Sequence, residues 1–230
     1  MTGREFKALA YNELARVGKA MCDPRRLELL DLICQSEKNV EWLSGEINLS
    51  VASTSHHLQI LKASKLASTR KQKRFVYYRA TGAGMAVWKS LVDIGHDHLS
   101  EIKLAVASFF DSEHDLRGVE IAELREMARK NEILLLDVRP PDEYEAGHFP
   151  GAVSLPVRAL EEQMESLPKG KPVVAYCRGP FCILSKEAVG IVRTHGISAY
   201  RLAAGVVDWR IDEEPVVEEN SLRREDDLTG

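Results

Sequence analysis

Near residue 110 the hydrophobic pattern of this chain changes period, and one packed layer does not accommodate both patterns. Before that point the segments read as helix after helix. They close on a long apolar-periodic run from Gly84 through Phe110 that carries Met85, Val87, Trp88, Leu91, Val92, Leu99, Ile102, Leu104 and Val106. After it, a short helical piece VEIAELREMARK leads into the apolar run ILLLDV. The helix-like RALEEQMESL then leads into PVVAY, an alternation that argues for a parallel α/β sheet. With 230 residues the chain exceeds the common single-domain size of about 100–150. We therefore expect two domains, residues 1–110 and 111–230, with the boundary near Phe110 to Arg117. Glu213 to Gly230, rich in charge and poor in apolar residues, is expected to fray.

Charge follows the same division. The overall balance of -4 hides 16 basic and 11 acidic side chains in residues 1–110, against 15 basic and 24 acidic in residues 111–230. A basic half joined to an acidic half points to a polyanionic partner for the first alone. No window holds the roughly 18 uncharged apolar residues of a membrane span, and the start MTGREFKALA is charged where a secretory signal is apolar. Four cysteines without a paired framework fit a reducing compartment, so a cytoplasmic protein that does not engage a membrane is expected.

In the basic half, residues 24–66 read as three helices: Pro24 to Cys34, Val40 to Ile47, and Val51 to Leu66. Asp23 before Pro24 is a cap followed by a first helical position, and Ser50 caps the third helix. Val51, Ser55, Leu58, Leu61 and Leu66 trace a face toward a core. Ser53, Thr54, His56, His57 and Gln59 form the opposite face near the helix start. Short polar side chains there suit base edges in a major groove, with the positive helix end near phosphate. Next comes STRKQKRFVYYRATG, where Arg70, Lys71, Lys73 and Arg74 cluster at the turn of a hairpin that Phe75 to Tyr78 returns. A basic hairpin tip beside such a helix neutralises flanking phosphates, and this is the geometry of a winged helix.

CDPRRLELLDLI, ASTSHHLQILKASKLA and RKQKRFVYYRA, in that order, resemble the arsenic-repressor (ArsR) family of winged-helix regulators over about residues 10 to 105. The resemblance implies double-stranded operator DNA as partner and Ser53, Thr54, Ser55, His56, His57, Gln59, Lys62, Arg70, Lys71, Lys73 and Arg74 as the binding set. It also implies a homodimer paired through residues 4–20 and 84–108. Family metal sites often use cysteines on the helix before the recognition helix, but VEWLSGE has none here. Asp93, His96, His98 and Glu101 on the terminal helix are ligand types, yet their crowding differs from the family's separated pairs, and a solvated face is the favoured reading. Cys22 and Cys34 read as small buried hydrophobes ahead of a redox pair. No metal and no cofactor is expected.

In the acidic half, ILLLDV delivers Asp137 at its C-terminal edge, ahead of RPPDEYEAGHFPGAVSLP, and PVVAY delivers Cys177 at its own. Ligand sites in open α/β sheets favour that edge. RGPFCILSKEAVGIVRTHG then reads as a short loop entering a helix, whose backbone N–H groups stabilise a thiolate or bound anion. LLDVRPPDEYEAGHFPGAVSLP, PVVAYC and LAAGVVDW resemble the rhodanese family over about residues 117 to 215. That resemblance implies sulfur transfer: Cys177 attacks a sulfane-sulfur donor, becomes a persulfide and passes the outer sulfur to an acceptor. Where the family loop frequently ends in a basic residue, this chain has Cys182; Arg178 is a candidate for the missing positive charge. Cys182 either packs at the start of the helix or attacks a Cys177 persulfide to close a disulfide or polysulfide bridge. Asp137 and Arg139 read as supports of the loop; Glu143 and His148 are candidates to touch a ligand, with surface or turn roles the favoured reading.

The expected fold class is thus a mainly α winged helix-turn-helix followed by an α/β rhodanese-like domain with a parallel sheet. The leading functional expectation is a DNA-binding regulator, a repressor, that senses or transfers sulfane sulfur through Cys177. The alternative is a thiosulfate or persulfide sulfurtransferase localised or autoregulated by its DNA-binding domain. A third reading, an oxyanion-binding loop, conflicts with the short loop and its missing terminal arginine.

Overall fold

The computed structural model describes residues 1–110, 115–116, 121–167 and 170–211. Glu213 to Gly230 and most of the expected boundary segment lie outside them. The chain divides into two compact units, Met1–Val92 and Asp93–Gly230.

The first unit begins with α1 (Gly3–Met21), opened by a capping box in which Thr2 and Glu5 satisfy each other's backbone N–H groups. In α2 (Pro24–Gln35) the Asp23 carboxylate accepts from the N–H groups of Arg25 and Arg26 at 2.9 and 3.1 Å. The two-residue strand β1 (Lys38–Asn39) leads to α3 (Val40–Glu46), capped by Asn39, and then to α4 (Val51–Ala63), capped by Ser50. Strands β2 (Ala67–Gln72) and β3 (Phe75–Ala80) form a hairpin in which Gln72 pairs with Phe75. Its two-residue turn puts Lys73 at a φ of 53°, and the sheet order is β1-β3-β2, antiparallel throughout. Leu29, Leu30, Ile33, Leu43, Leu58 and Leu61 are fully buried. At about 1.5–3 kcal/mol per buried aliphatic side chain, they hold the three helices against the hairpin.

The periodic run expected over Gly84 to Phe110 is two helices, α5 (Gly82–His98) and α6 (Ser100–Phe109). They part at Leu99, whose backbone is extended at φ -95° and ψ 111°. Apolar period alone does not reveal such a break, because both pieces keep the same spacing.

The second unit continues from within α5 through α6, β4 (Asp115–Leu116), α7 (Ile121–Arg129) and β5 (Leu134–Asp137). After these come α8 (Pro141–Glu145), β6 (Val153–Ser154), α9 (Val157–Leu160), a 3-10 turn over Glu161–Ser166, and β7 (Val173–Tyr176). The last elements are α10 (Leu184–Thr194), β8 (Ala199–Leu202) and α11 (Val206–Ile211). The sheet is parallel in the order β4-β8-β7-β5-β6. Every residue of β5 and β7 is buried, as a continuous apolar run between two helical layers requires. Alternate residues serve opposite faces: Leu134, Leu136, Val173 and Ala175 pack with Ala188 and Val192 of α10, whereas Leu135, Val174 and Tyr176 pack with Phe149 and Val206. Since Asp137 pairs with Tyr176, the two strands end level and deliver Asp137 and Cys177 to one edge of the sheet.

Candidate functional site

On α4, Ser53, His56, Gln59 and Lys62 are exposed, and Ser55 is half-buried. Ser50 accepts from the N–H of Ser53 at 3.2 Å, and Gln59 donates to the Ser55 hydroxyl at 3.4 Å. Thr54 requires a correction. It is fully buried beside Leu58 and Leu61, and its hydroxyl has no hydrogen-bond partner among the described residues. The inward face therefore runs through Thr54, Leu58 and Leu61, whereas Val51, expected inside, is 48% exposed. Leu58 and Leu61 belong to both readings, and the face is displaced by roughly 60° about the helix axis, from Val51 toward Thr54. His57 is half-buried, with Nδ1 3.9 Å from the Asp23 carboxylate at the start of α2, so it faces the neighbouring helix.

At the hairpin tip Lys71, Lys73 and Arg74 are exposed. Arg70 differs: its Nε donates to both oxygens of Glu37, at 2.9 and 3.2 Å, and its guanidinium lies 5.1 Å from the Tyr77 ring. This hydrogen bond raises the pKa of Arg70 further.

In the second unit Cys177 follows β7 and is fully buried. Its Sγ lies 3.1 Å from the Ser185 hydroxyl and 3.5 Å from the Cys182 carbonyl, to which its protonated form donates. Burial disfavours a charged sulfur. It is outweighed by hydrogen bonds from the Cys182 thiol, the Ser185 hydroxyl and the backbone N–H groups of Ser185 and Gly179, which bring the Cys177 pKa down to about 6. Cys182 is pushed the other way by its hydrogen bond to Cys177, by burial and by that neighbour's charge. One thiolate and one thiol therefore share the loop.

Asp137 and Arg139, both fully buried, brace this edge. Arg139 donates to both oxygens of Asp137, at 3.0 and 2.6 Å, and to the Gly147 carbonyl at 2.8 Å, tying β5 to the following loop. Asp137 thus supports the site through Arg139, whereas Ser185 contacts the sulfur itself.

Arg178, considered as a charge for bound anion, is corrected by geometry. Its guanidinium is held by the fully buried carboxylate of Glu143. Glu143 and His148, read as surface or turn residues, are both buried. His148 stacks on Tyr144 with ring centres 3.7 Å apart and hydrogen-bonds the Tyr144 carbonyl through Nδ1 at 2.9 Å.

Sequence reasoning did not find three further supports. Ser185, in the first turn of α10, is fully buried against the sulfur, and nothing in LSKEA marks it. Arg201 of β8, 2% exposed, donates to the Pro180 carbonyl of the loop at 2.7 Å. Gly205 passes so close that an added Cβ would lie 2.2 Å from the Arg178 carbonyl oxygen and 2.8 Å from the Gly179 nitrogen. Only glycine fits there.

Comparison with known proteins covers both units. Residues 23–69 match the family described as "Bacterial regulatory protein, arsR family", and residues 120–212 match "Rhodanese-like domain". The HTH-type transcriptional regulator Rv0324 of Mycobacterium tuberculosis is 37% identical over 213 residues, covering 92% of this chain and 93% of that protein. The thiosulfate sulfurtransferase GlpE of Coxiella burnetii is 32% identical over 87 residues, covering 37% of this chain and 78% of its own length. A solution structure of the homodimeric winged helix-turn-helix domain of Mb0332 from Mycobacterium bovis, 32% identical, covers 44% of this chain and 93% of that one with a TM-score of 0.40. Among the described residues no helix is long and apolar enough to cross a membrane. With a relative 37% identical along nearly its whole length, this chain belongs to the arsR family of bacterial regulatory proteins and carries a rhodanese-like domain after its winged helix.

Proposed function

We propose that this chain is a DNA-binding transcriptional repressor, working as a homodimer on duplex operator DNA in the cytoplasm, whose operator affinity is set by sulfane sulfur taken up on Cys177. Ser53, His56, Gln59 and Lys62 of α4 read bases and nearby phosphate, and Lys71, Lys73 and Arg74 neutralise flanking phosphates. The domains divide at about residue 110. The observation that carries this reading is the covalent union of a winged helix with a loop that keeps Cys177 ionised near neutral pH. A thiolate is the form that attacks a sulfane sulfur, and the surrounding N–H and O–H donors suit the persulfide anion that results.

Sulfur then acts as an effector: it shifts operator affinity only if the persulfidated loop favours one of two conformations. The test uses full-length protein and a labelled duplex enriched by the protein from a random library. Fluorescence anisotropy is read before and after glutathione persulfide, with Cys177 modification mapped on the same sample. At least a tenfold loss of affinity in the wild type, absent in Cys177→Ser, is expected. Unchanged affinity with mapped persulfide at Cys177 overturns the reading.

A further inference from the structure

The two sulfurs of the loop are placed for a second reaction. Cys177 and Cys182 are free cysteines five residues apart, and the Cys182 carbonyl oxygen lies 3.5 Å from the Cys177 Sγ. Arg178 turns to Glu143, so the groups gathered on the sulfur are the Ser185 hydroxyl, the Cys182 thiol and backbone N–H donors. We propose that Cys182 is a resolving thiol, which attacks the Sγ of persulfidated Cys177, closes a Cys177–Cys182 disulfide and expels hydrosulfide. The proposal rests on persulfide formation at Cys177, the reading given above, and adds what becomes of that persulfide.

The step balances without an outside oxidant. The sulfur of Cys182 forms a bond to the Cys177 Sγ, and the bond between that Sγ and the outer sulfur breaks. The electron pair leaves on the outer sulfur, which departs as hydrosulfide with the Cys182 proton. Two cysteine sulfurs are oxidised and one sulfane sulfur is reduced to sulfide. Before loading, the Cys177 thiolate holds the Cys182 proton in place. Loading moves the negative charge one atom outward, and the outer sulfur takes up the Cys182 proton as Cys182 attacks.

The loop is fixed at one end and accessible at the other. Arg178 and Gly179 are pinned by the close passage of Gly205, with Gly179 at a φ of +148°. On the other side, Phe181 and Ile183, which flank Cys182, are 40% and 47% exposed. Cys182, between them, is half-buried and packs against the same core cluster that holds Cys177.

The test loads full-length protein with glutathione persulfide, whose sulfur transfer releases glutathione and not sulfide. Wild type, Cys182→Ser, Cys182→Ala and Cys177→Ser are compared for hydrosulfide released and for the mass of the peptide carrying residues 177 and 182. Wild type is expected to release one hydrosulfide per chain and to yield that peptide two hydrogens lighter. Both Cys182 variants should keep a peptide one sulfur heavier, with hydrosulfide release at least tenfold lower. Equal release from wild type and both Cys182 variants, or a wild type that simply retains the extra sulfur, overturns the resolving role while leaving persulfide formation intact. No sulfur on Cys177 in any variant overturns both readings together.

Discussion

Glu143, fully buried, holds Arg178 through two parallel bonds, Nε to one carboxylate oxygen at 3.0 Å and Nη2 to the other at 2.8 Å. The residue that follows the reactive cysteine is thereby fastened to α8, and the loop enters its turn from a fixed point. Breaking one member of such a pair leaves a desolvated charge, at a cost of about 3–5 kcal/mol. Glu143→Gln is expected to lower the denaturation midpoint and to slow sulfur uptake by Cys177. Glu143→Leu combined with Arg178→Met should recover most of the stability but not the rate. Urea denaturation and persulfide-loading kinetics on both variants check this.

Ser185 supplies one hydrogen bond to a charged sulfur, an interaction of about 1.5–3 kcal/mol. Removing it in Ser185→Ala is expected to raise the Cys177 pKa from about 6 by roughly one to two pH units. In the wild type the thiolate fraction rises as pH passes upward through about 6, so thiolate absorbance and sulfur uptake increase there and level off. In the variant both curves move to higher pH. An ultraviolet titration, taken as the difference from Cys177→Ser, reads the shift; coincident curves would count against the assignment.

Gly205→Ala places a Cβ 2.2 Å from the Arg178 carbonyl oxygen, and backbone must move to admit it. Overpacking of this kind costs about 1–3 kcal/mol. The displacement falls on the loop that organises donors around Cys177, so persulfide loading should drop more than tenfold. Operator affinity of the sulfur-free protein should stay within a factor of two.

Thr54 buries a hydroxyl without a partner among the described residues, and valine has nearly the same shape without that group. Thr54→Val is expected to raise stability by about 1 kcal/mol and leave operator affinity unchanged. A loss of affinity larger than threefold would show that the hydroxyl reaches DNA after all.

The wing separates two kinds of basic residue. Lys71→Gln and Arg74→Gln should each reduce the slope of log affinity against log salt by about one, the value of one phosphate contact. Arg70→Gln should reduce it by less than half as much, because its guanidinium is already engaged by Glu37. Anisotropy titrations at several salt concentrations distinguish the two.

The sequence alone carried what depends on short-range pattern. Asp23 and Ser50 announce the starts of α2 and α4 because a cap needs only its own next few N–H groups. The apolar runs of β5 and β7, and Cys177 at the end of the second, follow from composition over a handful of residues. Tertiary structure decided what depends on neighbours distant in the chain. Arg178 meets Glu143 across 35 positions, and Arg201 reaches Pro180 across 21, because β8, β7 and β5 lie side by side in the sheet. The inward face of α4 likewise shifted by less than one residue of helical phase, so Thr54 went inside and Val51 outside while Leu58 and Leu61 stayed buried. Periodicity limits a helix to a face of roughly 100°, and the packing partners choose the angle within it.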